Sequence, residues 1–298
     1  MKKNILVVTG GAGFVGSNLI ETLIKKYKSL RIISLDNYSS GKKQNHIKSK
    51  HVKYIKCETR DIFKVLQKYK NKISTIFHFG EFSRIYQSFR EFDQCYESNV
   101  IGSKAVFSFC LKNKIKLIYS ATSATFGKNN LNKNLSPYAF TKSNNIELLN
   151  NLNKWFNFKF EIIYFYNVYG KRQICEGKMA TVIGIFQKQY KDKKPLTIVR
   201  PGNQTRKFTH IDDTINVCIE AWKNKKCAQY SISSKYDYSI IDIAKMFGGK
   251  IKFLPFREGE RYASQLTKMN LSKQVIRKIA HIKIDDYIDN FKKNLLKF

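Results

Sequence analysis

Apolar, β-prone runs alternate with amphipathic stretches through the first half of this 298-residue chain. The runs predict strands at 4–8, 31–35, 53–56, 75–79, 115–120 and 160–165. The stretches between them predict helices near 15–27, 60–70, 91–113 and 137–155. Because strands and helices alternate, we expect an α/β fold, a doubly wound parallel sheet with helices on both faces.

The pattern is looser after Gly170, where helices are predicted near 178–192 and 211–225 and strands near 196–199, 229–232 and 250–254. We therefore expect a main domain over residues 1–170 and a smaller C-terminal lobe formed mainly by residues 171–298. Residues of about 207–232 are expected to return to the main domain, because residues 208–213 lead into a helix as the strand ends of the first half do.

The first predicted strand runs into Gly10, Gly13 and Gly16, and the next helix is predicted to begin at Val15. Such a strand, turn and helix suit a dinucleotide pyrophosphate, since the backbone allows close approach and the helix N-terminus attracts anions. Glycines can also serve only to fit a tight turn. The arrangement favours a Rossmann-like domain with these three glycines around the pyrophosphate.

A carboxylate at the end of the second predicted strand supports a dinucleotide site. Asp36 lies twenty positions after Gly16, where an acidic side chain can bind the ribose hydroxyls of the adenosine. The same carboxylate would repel the extra phosphate of NADP, so the expected cofactor is NAD. Lys42 and Lys43 follow closely, and a mobile lysine that meets this phosphate is the alternative.

The chain carries a formal net charge of +33, which could attract RNA or an anionic membrane surface. The lysines are scattered in short groups, however, and no zinc finger or base-stacking signature accompanies them. No apolar stretch approaches the roughly twenty residues that cross a bilayer. We therefore interpret the charge as a compositional bias typical of an A/T-rich genome, and expect neither a nucleic acid nor a membrane as partner.

The six cysteines are dispersed, without the Cys-x-x-Cys or Cys/His spacing of a zinc site, so no metal is expected. The N-terminus offers no signal peptide, because its apolar run is short and leads directly into the glycine turn. Reduced thiols in the cytoplasm are the simplest interpretation.

Tyr138 and Lys142 are the strongest candidates for chemistry. They lie four residues apart after Pro137, which suits the first turn of a helix, so the phenol and the ammonium share one helix face. A nearby cation favours the phenolate, which can then act as a general base. Thr122 and Ser123 follow the strand predicted at 115–120, where an open sheet presents its ligands. Chance matches to this spacing are common, and the hydroxyls could merely cap their own backbone.

With these residues the chain resembles the extended short-chain dehydrogenase/reductase family, specifically its sugar-nucleotide epimerases and dehydratases. The resemblance covers nearly the whole chain. The motifs that carry it are the glycine turn, Asp36-Asn37, His78-Phe79-Gly80-Glu81, Asn99 with Gly102, Thr122 with Tyr138 and Lys142, Tyr166-Asn167-Val168-Tyr169-Gly170, Arg206 with the residues up to Asp213, and Arg257.

The resemblance implies that Thr122, Tyr138 and Lys142 are catalytic and that the cofactor is NAD. The cofactor-binding residues that it implies are Gly10, Gly13, Phe14, Val15, Gly16, Asp36, Asn37, Glu58, Phe79, Gly80, Asn99, Tyr138, Lys142 and Phe165. The substrate-binding residues that it implies are Ser123, Asn167, Arg206 and Arg257. It also implies a homodimer formed by the helices near 91–113 and 137–155, although their apolar faces could instead cover the sheet.

Two departures from the family pattern stand out. Gly80-Glu81 replace a pair of small residues, which concerns contact with the cofactor. Ser123 and Ala124 stand where dehydratases carry an acidic pair, so elimination lacks its expected acid and base. We therefore expect an NAD-dependent epimerase of a nucleotide-diphospho-sugar, with a UDP-hexose inverted at C4 through a transient 4-keto sugar. The alternatives are a nucleotide-sugar 4,6-dehydratase, a heptose-nucleotide 6-epimerase, and a non-enzymatic NAD-sensing or RNA-binding protein on the same fold.

Overall fold

The computed structural model describes residues 3–125, 135–257 and 275–295. The strands of this part, in chain order, are β1 Ile5–Thr9, β2 Arg31–Asp36, β3 Val52–Lys56, β4 Ile73–His78, β5 Lys116–Thr122, β6 Phe160–Phe165, β7 Asn167–Tyr169, β8 Leu196–Val199, β9 Thr205–Arg206, β10 Phe208–His210, β11 Gln229–Ser233, β12 Tyr238–Ser239, β13 Ile251–Leu254 and β14 Val275–Ile279. The helices are α1 Phe14–Lys26, α2 Ile62–Leu66, α3 Ile85–Arg90, α4 Phe92–Tyr96, α5 Ser103–Lys112, α6 Pro137–Phe156, α7 Val182–Lys191, α8 Ile211–Lys223, α9 Ile240–Phe247 and α10 Ile284–Leu295.

Eight strands form one parallel sheet in the order β14-β11-β6-β5-β4-β1-β2-β3. The chain passes from β1 outward to β2 and β3, and then crosses back to β4 on the other side of β1. Thr9, the last residue of β1, pairs with Leu35 on one side and with His78 on the other. Connections leave β1 and β4 in opposite directions, so a crevice opens at the carboxyl ends of these two strands.

Helices cover both faces of this sheet. On one face α2, α5 and α6 pack through Leu66, Phe109 and Leu149, which are fully buried. On the other face α1 and α8 pack through the buried side chains of Leu19 and Ile215. Strand β1 is buried along its whole length, as expected for a parallel strand covered on two sides. The predicted fold class is confirmed.

A second core lies in the C-terminal half. It contains Phe186 of α7, Ile198 of β8, Phe247 of α9 and Ile288 of α10, all fully buried. Strand β8 pairs there with β13. By contrast, β11 joins the large sheet beside β6, and β14 joins it beside β11. The division into a main domain and a smaller lobe at about residue 170 stays a prediction.

Two helices predicted from the pattern are α-helical over only part of their length. The stretch 91–113 is not one α-helix, because a π-helical turn over Glu97–Gly102 separates α4 from α5. The turn packs closely, since a Cβ on Gly102 would lie 2.1 Å from Thr59 Oγ1. The stretch 60–70 is α-helical only over Ile62–Leu66 and continues as a 3₁₀-helix over Gln67–Lys72. Apolar periodicity does not separate these helix types, which differ in the hydrogen bond that each turn closes.

The pattern missed α3, α9, α10 and several short strands. Strand β7 pairs with β10, and β9 pairs with β12, through segments of two or three residues. Segments this short carry no readable period and form through their partners. Within the described ranges, no helix combines the length and the apolar character needed to cross a membrane.

Candidate active site

A cavity of about 510 Å³ lies at the carboxyl ends of the strands, where the crevice is expected. Its walls come from the loops after β1, β2, β3, β4, β5 and β6, from the N-terminus of α6 and from the C-terminal half. The predicted site residues that line it are Gly10, Gly13, Phe14, Val15, Gly16, Asp36, Asn37, Glu58, Phe79, Gly80, Thr122, Ser123, Tyr138, Lys142, Phe165, Asn167, Arg206 and Arg257. Of the predicted residues, only Asn99 is missing from this wall.

Two glycines of the turn after β1, Gly10 and Gly16, leave no room for a side chain. Gly10 has a φ of +68°, and a Cβ there would lie 2.8 Å from Gly80 N. A Cβ on Gly16 would lie 2.2 Å from Gly10 O. No side chain caps α1 at Gly13, so the first backbone N–H groups of the helix remain available to a ligand. An open helix N-terminus beside a cradle without Cβ atoms fits the pyrophosphate of a dinucleotide.

Asp36 lies beside this turn, with its carboxylate held by the backbone. Its Oδ2 accepts a hydrogen bond from Ala12 N at 2.9 Å, and its Oδ1 accepts one from Tyr38 N at 2.8 Å. Burial raises the pKa of Asp36, and these two hydrogen bonds oppose the rise. Nearby, Asn37 Nδ2 donates to both carboxylate oxygens of Glu58, at 3.2 and 3.1 Å. These residues form the end of the cavity that suits an adenosine.

Tyr138 and Lys142 point into the cavity from the first turns of α6. The helix begins with Pro137, and Ser136 Oγ caps it by accepting from Ala139 N at 3.1 Å. Tyr138 is 9% exposed and Lys142 is 4% exposed. Lys142 Nζ donates to Ser120 O, at the end of β5, at 2.6 Å. The cap and this contact hold the phenol and the ammonium on the cavity side of the helix.

Thr122 and Ser123 end β5 and line the same part of the cavity. Thr122 Oγ1 accepts from Ala124 N at 3.1 Å, at the start of a 3₁₀ turn over Ser123–Thr125. The hydroxyl of Thr122 therefore also caps its own backbone, and its proton remains available to a ligand oxygen. The three residues of the proposed catalytic trio lie on one cavity wall.

Two charged residues to which sequence analysis assigned no role also line this wall. Glu81 forms an ion pair with Lys142, and its side chain is only 1% exposed. Arg84 donates from Nε to Met179 O at 3.0 Å and from Nη1 to Ser83 O at 2.9 Å. Burial lowers the pKa of Arg84, and the facing Tyr138 phenol opposes this. Glu81 was visible in the sequence as a departure from the family pattern, whereas no spacing signal marks Arg84.

The predicted phosphate-binding residues come from the C-terminal half and from β7. Asn167 Nδ2 donates to Lys207 O at 2.9 Å, which ties β7 to the segment before β10. Arg206 Nη1 donates to Thr205 O at 2.9 Å. The guanidinium of Arg257 lies 5.1 Å from the centre of the Tyr86 ring. Both arginines reach the cavity wall, where a diphosphate would meet them.

Asn99 does not line the cavity, and its assignment as a cofactor-binding residue stays a prediction. It is fully buried, and its Oδ1 accepts from Phe82 N at 2.7 Å. Its Nδ2 donates to Phe82 O at 3.1 Å and to Thr141 Oγ1 at 3.2 Å. All of these contacts use the side-chain amide of Asn99. They link the segment after β4 to α6.

Across residues 3–125, 135–257 and 275–295, no group of three or more His, Cys, Asp or Glu side chains could hold a metal ion. All six cysteines lie in these ranges and are free thiols.

Comparisons with known proteins agree with this geometry. Residues 6–233 match the family described as NAD dependent epimerase/dehydratase. A Methanocaldococcus jannaschii protein assigned provisionally as a UDP-glucose 4-epimerase is 30% identical over 278 residues, which cover 87% of this chain and 88% of that protein.

Two solved structures share the fold over nearly the whole chain. The UDP-N-acetylglucosamine 4-epimerase of Methanobrevibacter ruminantium, in complex with UDP-N-acetylmuramic acid, is 25% identical, with a TM-score of 0.83 and 100% of each chain covered. The UDP-glucuronic acid 4-epimerase of Bacillus cereus, in complex with UDP-glucuronic acid and NAD, is 24% identical. Its TM-score is 0.82, with 98% of this chain and 99% of that chain covered.

Proposed function

Since the chain belongs to the NAD-dependent epimerase/dehydratase family, we propose that it is a 4-epimerase of a UDP-hexose that works through a transient 4-keto sugar. It is an enzyme of that family, and its cofactor is NAD. The observation that carries the proposal is that Thr122, Tyr138 and Lys142 share one cavity with the glycine turn. The three relatives and neighbours named above are 4-epimerases of UDP-sugars by name, which supports this choice of nucleotide and carbon.

The residues that would hold the cofactor line the part of the cavity formed by the loops after β1 and β2. The turn from Gly10 to Gly16 and the open end of α1 suit the pyrophosphate, and Asp36 suits the adenosine ribose. When bound, NAD supplies a reversible acceptor for the hydride at C4 of the sugar. The carboxylate of Asp36 would repel the 2′-phosphate of NADP, which supports the preference for NAD.

Tyr138 is the proposed general base and acid. Its phenolate takes the proton of the C4 hydroxyl and later returns it to the oxygen on the inverted carbon, so that no net proton leaves the site. Lys142 supplies the cation that favours the phenolate, and the hydroxyl of Thr122 orients the same oxygen. Because the proton is recycled, the trio can supply the acid–base chemistry of both halves of the reaction, while the hydride is left to the cofactor.

Elimination of water across C5 and C6 needs a further acid and base beside the sugar. Ser123 and Ala124 follow Thr122, and neither can ionise as a carboxylate. Glu81, the nearby acid, is engaged with Lys142. This composition of the wall supports epimerisation over 4,6-dehydration.

Substrate binding is proposed to divide between a firmly held diphosphate and a loosely held sugar. Arg206 and Arg257 offer forked donors to phosphate oxygens, and Asn167 offers an amide from β7. A sugar without such anchors can turn over between the two hydride transfers.

The free thiols support a cytoplasmic location, where cysteines stay reduced.

A homodimer is proposed through the helices beside the site. Large apolar side chains are exposed along α3, α4, the π turn and α6, and these helices pack side by side. The side chains are Phe89, Phe92, Tyr96, Ile101 and Phe140. An exposed apolar patch on neighbouring elements favours association.

The proposal is tested by incubating the NAD-loaded protein separately with UDP-glucose, UDP-GlcNAc, GDP-mannose and ADP-heptose and following the sugar protons by NMR. We expect a UDP-hexose to equilibrate with its C4 epimer. Formation of a 4-keto-6-deoxy sugar, or turnover of the heptose nucleotide alone, contradicts the proposal.

The matched variant is Tyr138→Phe, which keeps the ring and removes the ionisable oxygen. We expect its turnover to fall by about 10²- to 10⁴-fold, the usual contribution of a general acid–base group. Calorimetric titration with NAD⁺ serves as the control, since the aromatic ring that lines the cavity is kept. Full activity in this variant would remove Tyr138 from the mechanism.

A further inference from the structure

A buried carboxylate lies against the ammonium that assists the proposed base. Glu81 Oε2 is paired with Lys142 Nζ, with the two side chains 1% and 4% exposed. Taking two charges out of water is costly, and the attraction between them offsets this only when further hydrogen bonds satisfy both groups. Lys142 has such a second partner in Ser120 O at 2.6 Å.

The other oxygen of Glu81 accepts three hydrogen bonds from three elements. Ser103 Oγ of α5 donates to Oε1 at 2.8 Å, Tyr119 Oη of β5 donates at 3.0 Å, and Asn145 Nδ2 of α6 donates at 3.2 Å. Oε1 of Glu81 therefore meets three donors. An ionised carboxylate has only acceptor oxygens, which matches this arrangement. The surroundings of Glu81 are therefore built for its charged form.

A directed chain of hydrogen bonds connects this carboxylate with the glycine turn. Thr9 Oγ1 accepts from Phe79 N at 3.2 Å and Gly80 N at 3.0 Å, so its own proton goes to His78 Nδ1 at 2.7 Å. His78 Nε2 then donates to Ser103 Oγ at 2.9 Å, and Ser103 donates to Glu81. The tautomer of His78 follows from these partners.

His78 sets the direction of donation along this series of hydrogen bonds. Burial lowers the pKa of His78 to about 4, with Glu81 opposing the shift and Lys142 adding to it. The ring is therefore neutral near pH 7 and can donate from one nitrogen only. Thr9 is followed directly by Gly10 of the cofactor turn, so the position of Glu81 is tied to the cofactor site as well as to Lys142.

We propose that Glu81 is a positioning residue that fixes Lys142 against Ser120 and cancels most of the charge of Lys142, and thereby sets the pH at which Tyr138 acts as a base. This proposal rests on the proposed function only in taking Tyr138 as the general base. A bare lysine would favour the phenolate strongly, whereas a lysine paired with a carboxylate favours it less.

The other titratable groups that face the pair, from β4, α4, β5 and the loop before α3, are His78, Cys95, Tyr119 and Arg84. Burial raises the pKa of Cys95 to about 11 and that of Tyr119 well above its usual range, so both are neutral near pH 7. Arg84 adds a second cation near Tyr138. Among these described neighbours Glu81 supplies the negative charge, which makes it the residue to test.

The test reads the ionisation of Tyr138 directly in the full-length protein loaded with NAD⁺. Tyrosinate absorbance is titrated against pH, and the curve of the Tyr138→Phe variant is subtracted so that the remaining tyrosines cancel. We expect Glu81→Gln to move the midpoint down by about one pH unit, because the variant removes a buried negative charge from the wall that carries the phenol. The acidic limb of the kcat/KM profile should move by the same amount.

The double variant Glu81→Gln/Lys142→Met removes both charges and keeps the site neutral, so it remains informative if Glu81→Gln alone does not fold. We expect its midpoint to stay within about 0.3 pH unit of the wild-type value, because the two charges cancel in the native protein. Tyr119→Phe removes one hydrogen bond to Glu81 and no charge, and should leave the midpoint unchanged.

An unchanged or raised midpoint in folded Glu81→Gln overturns the proposal. A double variant whose midpoint rises by about one unit also overturns it, because Lys142 would then act uncancelled. Neither of these two absorbance midpoints requires turnover. A protein that epimerises no nucleotide sugar refutes the proposed function, and the absorbance titration still decides the role of Glu81.

Discussion

Single atoms decide whether the turn after β1 can accept a ligand. A Cβ on Gly16 would lie 2.2 Å from Gly10 O and 2.8 Å from Gly11 Cα, both of them backbone atoms that cannot rotate away. A Cβ on Gly13 would lie 3.1 Å from Gly10 O, which a small shift relieves. The two glycines therefore serve the same turn under different degrees of constraint.

We expect Gly16→Ala to lower the free energy of unfolding by about 1–3 kcal/mol, because the turn must open to admit the methyl group. Gly13→Ala should cost about 1 kcal/mol or less. Urea denaturation measures both losses. Calorimetry should show weaker NAD⁺ binding by Gly16→Ala, and equal losses of stability in the two variants would contradict this reading of the turn.

At the level of elements, Glu21 ties α1 to the segment that follows β7. Its carboxylate lies 3.0 Å from Lys25 Nζ, 3.0 Å from Lys171 Nζ and 2.7 Å from Arg172 Nη1. Burial alone would raise the pKa of Glu21, but the hydrogen bonds from Arg172, Lys171 and Lys25 outweigh it and lower the pKa to about 2. The helix that presents its N-terminus to the cavity is thus held at its middle by the C-terminal half.

This network predicts a specific pH dependence of stability. The pKa of Glu21 falls from its usual 4.5 to about 2 on folding, so its contribution is present above pH 4.5 and is lost as the pH falls towards 2. We expect Glu21→Gln to cost about 1 kcal/mol at pH 7 and to lose less further stability over that window than the wild type does. Chemical denaturation at several pH values measures this.

Glu147→Gln is the matched control, because Glu147 is an exposed carboxylate on α6. Its stability should follow the wild-type pH profile. If the stability of Glu21→Gln falls with pH in parallel with that of the wild type, the three cations do not stabilise the carboxylate of Glu21.

For the whole molecule, the exposed apolar surface beside the site carries the prediction of a dimer. Phe92 is 51% exposed on α4, and Phe140 is 45% exposed on α6. The double variant Phe92→Asp/Phe140→Asp should convert the proposed dimer into monomers, since a carboxylate is costly to bury in an apolar interface. Sedimentation velocity distinguishes the two states.

Tyr236→Asp provides the control, since Tyr236 is 55% exposed and lies between β11 and β12, outside these helices. That variant should sediment as the wild type does. A wild-type protein that is monomeric at micromolar concentration would refute the dimer.

The local signals of the sequence determined the fold class and the place of the cavity. Alternation of apolar runs with helical stretches leaves few arrangements besides a doubly wound parallel sheet, and such a sheet opens its crevice beside β1. The glycine turn and the spacing of Tyr138 and Lys142 are also local, because both depend on residues within one or two turns of chain. The functional roles of these residues stay predictions.

Tertiary structure alone decided what surrounds them. Glu81, Ser103, Tyr119 and Asn145 lie on four separate parts of the chain, and their contact depends on the sheet order and on the helix register. The same holds for Asn99, which the π turn buries behind the cavity wall. Periodicity records which face of an element is apolar, whereas the partners of a buried polar group are set by how distant elements pack together.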